Sequence, residues 1–136
     1  MVYNRILLVD DDVDDLLIFK AALKEVAVAI ECITAKNGLE ALLHLKNAQP
    51  PPSLIFLDLN MPMMNGIECL EQIMQDDRLK EIPVVIFTTS NHPKDQKRTA
   101  ELGAKKFLTK TPDFKTLKAE LRLILGGSFD GPISAV

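Results

Sequence analysis

Short apolar runs alternate with amphipathic stretches along this 136-residue chain. The runs at Arg5–Val9, Leu54–Leu57 and Pro83–Thr89 are continuously apolar or β-branched, which is typical of buried strands. Two shorter segments, Ile30–Thr34 and Lys106–Thr109, are also enriched in residues that favour strands. The pattern therefore predicts five strands.

The stretches between the strands repeat apolar residues with the spacing of one helix face. The predicted buried faces are Leu16, Phe19, Leu23 and Val26 in the first helix, Leu39, Leu42 and Leu43 in the second, Ile67, Leu70, Ile73 and Met74 in the third, and Phe114, Leu117, Leu121, Ile124 and Leu125 in the fifth. Asn37 and Asn65 are each followed directly by a glycine, and a glutamate stands three positions after each asparagine. That pattern predicts a capped helix start at both places.

The fourth helix is predicted between Pro93 and Gly103. Its apolar content is low and consists mainly of Ala100 and Leu102. A helix with so little apolar surface to bury is expected to be loosely docked and mobile.

Five strands that alternate with five helices predict an α/β fold, a doubly wound parallel sheet with helices on both faces. Periodicity alone does not give the strand order. In such sheets, functional residues gather at the carboxyl ends of the strands.

Composition narrows the class of protein further. The length fits one domain, and 47% hydrophobic with 26% charged residues is ordinary for a soluble chain. The net charge of −3 gives no reason to expect nucleic acid as a partner. No apolar run approaches a membrane span, and Met1–Asn4 is too short for a signal peptide, so we expect a cytoplasmic protein. Cys32 and Cys69 lie far apart and are interpreted as reduced thiols.

Charge is distributed unevenly. Residues 10–15 hold five aspartates, whereas residues 94–122 hold nine lysines and arginines against four acids. The distribution suggests a cation site near the N-terminus and a partner-binding face in the C-terminal third. Plain solvation of helix surfaces remains the alternative for most of the lysines.

Polar residues stand at four strand ends: Asp10, Asp11, Asp58, Thr88 and Lys110. Carboxylates brought together at one sheet edge repel each other and need a cation. Oxygen ligands without His or Cys fit Mg²⁺. A carboxylate nucleophile, a divalent metal, a lysine and a hydroxyl are together the parts for phosphoryl transfer to an aspartate, with Asp58 as acceptor.

Taken singly, most of these residues admit a plainer explanation. Asp10 and Asp11 could favour the N-terminus of the following helix. Thr88 could be packing in a β-branched strand, and Lys110 could be a solvated surface residue. Asp58 is the hardest to explain structurally, because a charge at the end of an apolar strand costs stability unless it is paired.

In this combination the chain resembles the receiver domain of two-component response regulators, the chemotaxis regulator CheY being the type. The matching pieces, within residues 4–125, are Ile6–Asp11, Leu57–Pro62 with Gly66, Val84–Thr88 and Phe107–Lys110. The resemblance implies a flavodoxin-like, CheY-like sheet of strand order 2-1-3-4-5. The forms of residues 60–62 and 88–90 are also similar to single-domain regulators that accompany phytochrome-type histidine kinases.

The resemblance implies a role for each matching residue. Asp58 would be the phosphoacceptor, Asp10 and Asp11 the acids of the Mg²⁺ site together with Asp58, and the Asn60 main-chain carbonyl a further metal ligand. The phosphoryl group would be bound by Thr88 and Lys110, and Thr88 and Phe107 would form the switch. Such a protein would catalyse only its own phosphorylation and dephosphorylation, so it would not be an enzyme acting on a separate substrate.

The chain departs from the family pattern at three positions. Thr111 stands where the family usually has proline after the lysine, and Pro112 follows it. A cis Lys110–Thr111 bond would cost about 3–4 kcal/mol, so we expect a trans bond. Thr89 stands where the family has a very small residue and is expected to narrow access to Asp58. The switch aromatic is Phe107 rather than tyrosine, so it has no hydroxyl.

The implied domain organisation is a receiver at 1–125, a flexible tail at 126–136 and no output domain. The signal would therefore leave through a partner. The expected partners are a histidine kinase or phosphotransfer protein and a downstream protein bound through the helix 4–strand 5–helix 5 face. Neither nucleic acid nor a membrane is expected, and the protein would be a monomer or a weak, phosphorylation-dependent dimer.

Three other classes compete with this interpretation. A haloacid-dehalogenase-type phosphatase would need an acid two residues after the nucleophile, where this chain has Asn60. A flavodoxin-like flavin carrier would need a Ser/Thr/Gly-rich loop after the first strand, where this chain has aspartates. A degenerate receiver that only binds partners would not need the full set of Asp10, Asp11, Asp58, Thr88 and Lys110.

Overall fold

The structure, a computed structural model, describes residues 3–127 and residue 129. Five strands and five helices alternate within this part of the chain: β1 (Arg5–Val9), α1 (Val13–Val26), β2 (Glu31–Ala35), α2 (Gly38–Asn47), β3 (Leu54–Leu57), α3 (Gly66–Gln75), β4 (Val84–Thr88), α4 (Pro93–Leu102), β5 (Lys106–Thr109) and α5 (Phe114–Leu125). None of these helices is long and apolar enough to span a membrane. Most of the predicted tail, residues 126–136, lies outside the described residues.

The strands form one parallel sheet in the order β2-β1-β3-β4-β5. This arrangement confirms the predicted doubly wound fold and the strand order that the family resemblance implied. Four of the five strands, β1, β3, β4 and β5, are consecutive neighbours in the sheet. Their carboxyl ends therefore lie side by side along one edge.

Alternate residues of each strand point to opposite sides of the sheet, and the residues on both sides are buried. Leu7 and Val9 of β1 face the layer formed by α2 and α3, whereas Ile6 and Leu8 face the layer formed by α1 and α5. In the second layer, the Phe19 ring packs edge-on against Phe56 with ring centroids 4.8 Å apart. The sheet is thereby held between two separate apolar layers.

A side chain caps the N-terminus of each of the five helices, including His92 for α4 and Asp113 for α5. Asp12 caps α1, and its side chain accepts a hydrogen bond from the Asp15 amide. Asn37 caps α2, and its Oδ1 accepts from the Glu40 amide at 2.9 Å. Asn65 caps α3 in a reciprocal box with Glu68. The two predicted Asn caps are confirmed, and each satisfies an amide that the helix itself leaves unpaired.

The predicted face of α2 was partly wrong. Leu42 is buried as expected, but Leu39 and Leu43 are 42% and 62% exposed. The helix instead packs through Ala41, Leu42 and Leu45. The apolar spacing was compatible with either orientation, and the contact with α3 selects the face that carries Ala41.

Helix α4 also docks differently from the expectation. Ala100 is exposed, and the buried residue of this helix is Thr99, which is 1% exposed. The Thr99 hydroxyl donates to the main-chain oxygens of Asp95 and Gln96 at 2.8 and 3.2 Å, so its polar group is satisfied within the helix. The scarcity of buried apolar residues in α4 is as predicted.

Candidate functional site

The sheet order places the sequence-predicted site residues together. Asp10 follows β1, Asp58 follows β3, Thr88 ends β4 and Lys110 follows β5. These four strands are neighbours, and the Asp58 amide donates to the Val9 carbonyl at 3.0 Å, which continues the ladder beyond the strands. Four segments that are distant in sequence thus meet at one edge.

Asp10, Asp11 and Asp58 form an acidic pocket at this edge. Asp10 and Asp58 are only 1% and 6% exposed, whereas Asp11 is open to solvent. One carboxylate oxygen from each residue lies within 4.8 Å of the others. An oxygen-only set at this spacing can hold a divalent cation such as Mg²⁺ or Mn²⁺.

The Asp58 carboxylate is fixed at both oxygens. Its Oδ1 accepts the Leu59 amide at 2.7 Å and, more weakly, the Asn60 amide at 3.4 Å. Its Oδ2 accepts from Lys110 Nζ at 3.0 Å. Asn60 is exposed and lies with Asp11 along one cleft, so the metal-ligand role predicted for its carbonyl remains a prediction.

The loop after Asp58 is drawn back against the site by the start of α3. The Gly66 amide donates to the Leu59 carbonyl at 2.9 Å. A β-carbon on Gly66 would lie 2.2 Å from the Asp58 carbonyl oxygen and 2.7 Å from the Leu59 Cα. Glycine is required here by this close approach of two backbone segments.

Lys110 reaches across the edge from β5. Its amide donates to the Thr88 carbonyl at 2.7 Å, which anchors the backbone beside β4. Its Nζ contacts Asp10 Oδ2 at 2.7 Å and Asp58 Oδ2 at 3.0 Å. The bond to Thr111 is trans, as expected. The ammonium therefore contacts both buried acids without a proline after it, and its single charge offsets only part of theirs.

Burial and pairing shift two pKa values in this cluster. Burial raises the pKa of Asp10 to about 6, although hydrogen bonds from Lys110 and from the Asp12 amide act in the opposite direction. Burial on its own would lower the pKa of Lys110, but its hydrogen bonds to Asp10, Asp15 and Asp58 outweigh that effect and raise it. Lys110 is thus a cation at neutral pH.

Thr88 and Phe107 face the same side of the sheet. Phe107 lies opposite Ile86 in the β4–β5 register, and Thr88 is two residues beyond Ile86. Since side chains two apart in a strand share a face, both lie toward α3 and α4. Thr88 is fully buried, whereas Phe107 is half-buried against the core. The switch role that the family resemblance implies for this pair remains a prediction.

Thr89 points to the opposite face and is exposed. It borders a cleft between α1 and the β5–α5 loop, together with Phe87, Lys110 and Pro112. Its side chain therefore lies beside Lys110, and the expected narrowing of access to Asp58 remains a prediction.

Sequence reasoning missed one member of the site. Asp15, in the first turn of α1, contacts Lys110 Nζ through Oδ2 at 2.7 Å. It was counted among the five acids of residues 10–15, but the sequence did not distinguish it from its neighbours. No sequence signal marked it, because its partner Lys110 lies 95 positions further along the chain.

A doubly wound parallel sheet with an aspartate, two accessory acids, a hydroxyl and a lysine at one edge defines a receiver-type signalling domain. The family model described as the response regulator receiver domain matches residues 6–122. The chain therefore belongs to the response regulator receiver domain family of two-component signalling.

Individual relatives agree with this assignment. The response regulator Rcp1 of the cyanobacterium Synechocystis is 38% identical over 117 residues, which cover 82% of this chain and 80% of Rcp1. The phosphorylated cyanobacterial phytochrome response regulator RcpA has a TM-score of 0.85 at 32% identity, with 93% of this chain and 97% of RcpA covered. The Mn²⁺-bound form of Rcp1 has a TM-score of 0.81 at 34% identity, with 95% and 96% covered.

Proposed function

We propose that this protein is a response regulator that accepts a phosphoryl group on Asp58 from a phosphohistidine of a histidine kinase or phosphotransfer protein. The supporting observation is the Lys110 ammonium, which lies 2.7 Å from Asp10 Oδ2 and 3.0 Å from Asp58 Oδ2 at the edge of the sheet. A lysine that already contacts the acceptor oxygen is placed to follow it onto a phosphoryl oxygen. No reaction on a separate substrate is proposed.

The transfer step follows from how Asp58 is held. Its Oδ1 is engaged by the Leu59 amide, so we assign the nucleophile to Oδ2, the oxygen beside Lys110. A bond forms between Oδ2 and phosphorus while the phosphorus–nitrogen bond of the phosphohistidine breaks. The imidazole nitrogen leaves with the electron pair of that bond, and Lys110 balances charge on the phosphoryl oxygens.

Mg²⁺ is the proposed metal, with Asp10, Asp11 and Asp58 as its carboxylate ligands and the Asn60 carbonyl as a further one. These three carboxylates fit because one oxygen of each lies within 4.8 Å of the others. When bound, the ion would neutralise charge on the transferred phosphoryl group. The related regulator Rcp1 has a Mn²⁺-bound form, which supports a divalent ion as the ligand of this pocket.

Phosphorylation would act on the Thr88–Phe107 pair. The phosphoryl group carries about −1.5 to −2 charges and draws hydroxyl donors toward it. Movement of the buried Thr88 would leave space that Phe107, on the same face, can enter. The face of α4, β5 and α5 would then change shape, and we propose that a downstream protein reads it there.

The scale of this switch is reasonable. Moving a two-state balance from 1:99 to 99:1 requires about 5.5 kcal/mol of differential stabilisation. Charge-assisted hydrogen bonds to a phosphoryl group contribute about 1.5–3 kcal/mol each, so those from Thr88 and Lys110 are of the right size. The protein is proposed to be monomeric, with at most weak pairing after phosphorylation.

Intact-mass spectrometry tests the proposal directly. We expect incubation with acetyl phosphate and Mg²⁺ to add the mass of one phosphoryl group, and Asp58→Asn to abolish the addition. Asp14→Asn is the matched control, because Asp14 is exposed and its substitution changes the net charge by the same amount as Asp58→Asn. A wild-type protein that stays unmodified, or an adduct that survives Asp58→Asn, would contradict the assignment.

A further inference from the structure

We propose that Asp15 is a positioning residue that holds Lys110 in place for the phosphoryl group. This inference rests on the proposed phosphorylation of Asp58. It assigns to a first-turn residue of α1 a function in the site at the ends of β1, β3, β4 and β5.

The contact itself is as short as any in the cluster. Lys110 Nζ lies 2.7 Å from Asp15 Oδ2, 2.7 Å from Asp10 Oδ2 and 3.0 Å from Asp58 Oδ2. An ammonium group has three hydrogens, so each can be donated to a different carboxylate. The Lys110 side chain is only 10% exposed, so water is poorly placed to replace a lost partner.

Helix α1 fixes where Asp15 stands. The Asp15 amide donates to the capping Asp12 Oδ1 at 3.1 Å, which orders the first turn. The next residues on the inner face, Leu16 and Phe19, are 7% and 0% exposed and anchor the helix on the sheet. Asp15 therefore approaches Lys110 from a rigid element.

Asp15 differs from the other two acids in what else it contacts. Asp10 and Asp58 belong, with Asp11, to the set of carboxylates close enough to share a cation, and Asp15 does not. A cation at that set would compete with Lys110 for Asp10 and Asp58. Asp15 would keep one hydrogen of Lys110 occupied and leave the others to be donated to phosphoryl oxygens.

The plainer explanation is that Asp15 only favours the helix N-terminus, as acids in a first turn do. Asp14 makes the comparison possible because it stands in the same turn with the same charge. Its carboxylate is exposed and has no hydrogen bond or ion pair with any residue in the described ranges. A helix-end effect would be shared by both residues, whereas an effect through Lys110 belongs to Asp15 alone.

The test compares wild type, Asp15→Asn, Asp15→Glu and Asp14→Asn at saturating Mg²⁺. One readout is the rate of adduct formation with acetyl phosphate. The other is the equilibrium affinity for beryllium trifluoride, a phosphoryl analogue, which needs no turnover. We expect Asp15→Asn to lower both by roughly tenfold, the effect of losing one charge-assisted contact to a mostly buried lysine. Asp15→Glu should recover most of the loss, and Asp14→Asn should stay within about twofold of wild type.

A double-mutant cycle tests whether Asp15 acts through Lys110. In a Lys110→Ala background, Asp15→Asn should cause no further loss of beryllium trifluoride affinity. An undiminished loss there, or equal behaviour of Asp15→Asn and Asp14→Asn, would overturn the proposal. Thermal unfolding checks each variant, and Asp15→Ser takes the place of Asp15→Asn if the latter does not fold.

The two proposals fail in different ways. If wild-type protein forms no adduct on Asp58, the proposed function fails, and the role of Asp15 fails with it. If wild type is phosphorylated and binds the analogue but Asp15→Asn matches Asp14→Asn, only the positioning role fails.

Discussion

Gly66 and Asp58 are packed backbone to backbone, so that a β-carbon on Gly66 would stand 2.2 Å from the Asp58 carbonyl oxygen. The Gly66 amide also donates to Leu59 at 2.9 Å. The first residue of α3 thus rests directly on the residue whose carboxylate we propose as the phosphoacceptor. Any side chain at position 66 would force the two segments apart.

Gly66→Ala should therefore destabilise the fold by about 2–4 kcal/mol, because backbone atoms on the other side of the contact cannot move aside as a side chain would. The change should also slow adduct formation on Asp58. Urea unfolding and intact-mass kinetics measure the two effects.

Gly126→Ala is a suitable control for the loss of a glycine. Gly126 has an ordinary φ of −78°, and the nearest atom to its β-carbon would be 3.2 Å away. We expect a change within about 1 kcal/mol. Equal stability of the two variants would show that the Asp58–Gly66 contact is not tight in solution.

Thr88→Val should leave the stability of the fold nearly unchanged but slow the phosphorylation proposed for Asp58. Thr88 is fully buried in β4, and its Oγ1 has only a long, 3.4 Å contact with the Ser90 amide. Valine keeps the β-branched shape, so stability should change by about 1 kcal/mol or less. Loss of the hydroxyl donor should slow adduct formation on Asp58 about tenfold.

Thr88→Ser keeps the hydroxyl and should retain most of the rate, which makes it the control for Thr88→Val. Time courses with acetyl phosphate, quenched and analysed by intact mass, give the rate of adduct formation for both variants. If Thr88→Val is phosphorylated as fast as wild type, the hydroxyl has no part in the transfer.

The buried Asp10 carboxyl should make the free energy of unfolding fall as pH rises from about 4 to 6. Burial raises its pKa in the folded protein to about 6, above the usual 3.8. Between these values the unfolded chain has lost the proton and the folded chain has kept it, so folding becomes progressively less favourable as pH rises and the loss is complete above pH 6. Asp10→Asn should remove this slope in metal-free buffer.

Chemical unfolding at a series of pH values measures that slope. Asp11→Asn provides the control, because it removes the same charge from the exposed side of the pocket and leaves Asp10 in place. A pH dependence unchanged by Asp10→Asn would mean that Asp10 is more hydrated in solution than its 1% exposure implies.

Hydrogen exchange should find α4 less protected than α3. Helix α4 buries Thr99 alone, whereas α3 buries Cys69, Leu70 and Ile73 together with Gly66. With so little apolar surface to expose, α4 should open at a lower free-energy cost. Exchange mass spectrometry of peptides from the two helices provides the comparison, and equal protection would contradict the view of α4 as a movable element.

The fold and most of the candidate site were accessible from the sequence because they depend on local patterns. Apolar runs located the ends of the strands to within one residue. The second strand, for example, was predicted at Ile30–Thr34 and is observed one residue later, at Glu31–Ala35. Alternation with helices gave the parallel sheet, and polar residues at strand ends gave the site. The strand order came from the family resemblance, since no local pattern encodes it.

The misses all depend on how helices are rotated and placed. Leu39 and Leu43 were assigned to a buried face that the docking of α2 turned toward solvent. Asp15 could be recognised only once α1 and β5 were placed together, since its partner is Lys110. Thr99 was overlooked because a threonine that satisfies its hydroxyl within its own helix can be buried without an apolar signal.

The residues of the site are synthesised in a fixed order, which has a consequence for incomplete chains. Lys110 contacts acids that lie 52 and 95 positions earlier in the chain. While the protein is being made, the aspartates emerge first and their shared counter-charge emerges last. A chain that stops before β5 would contain the proposed acceptor but lack the strand and the cation that hold it.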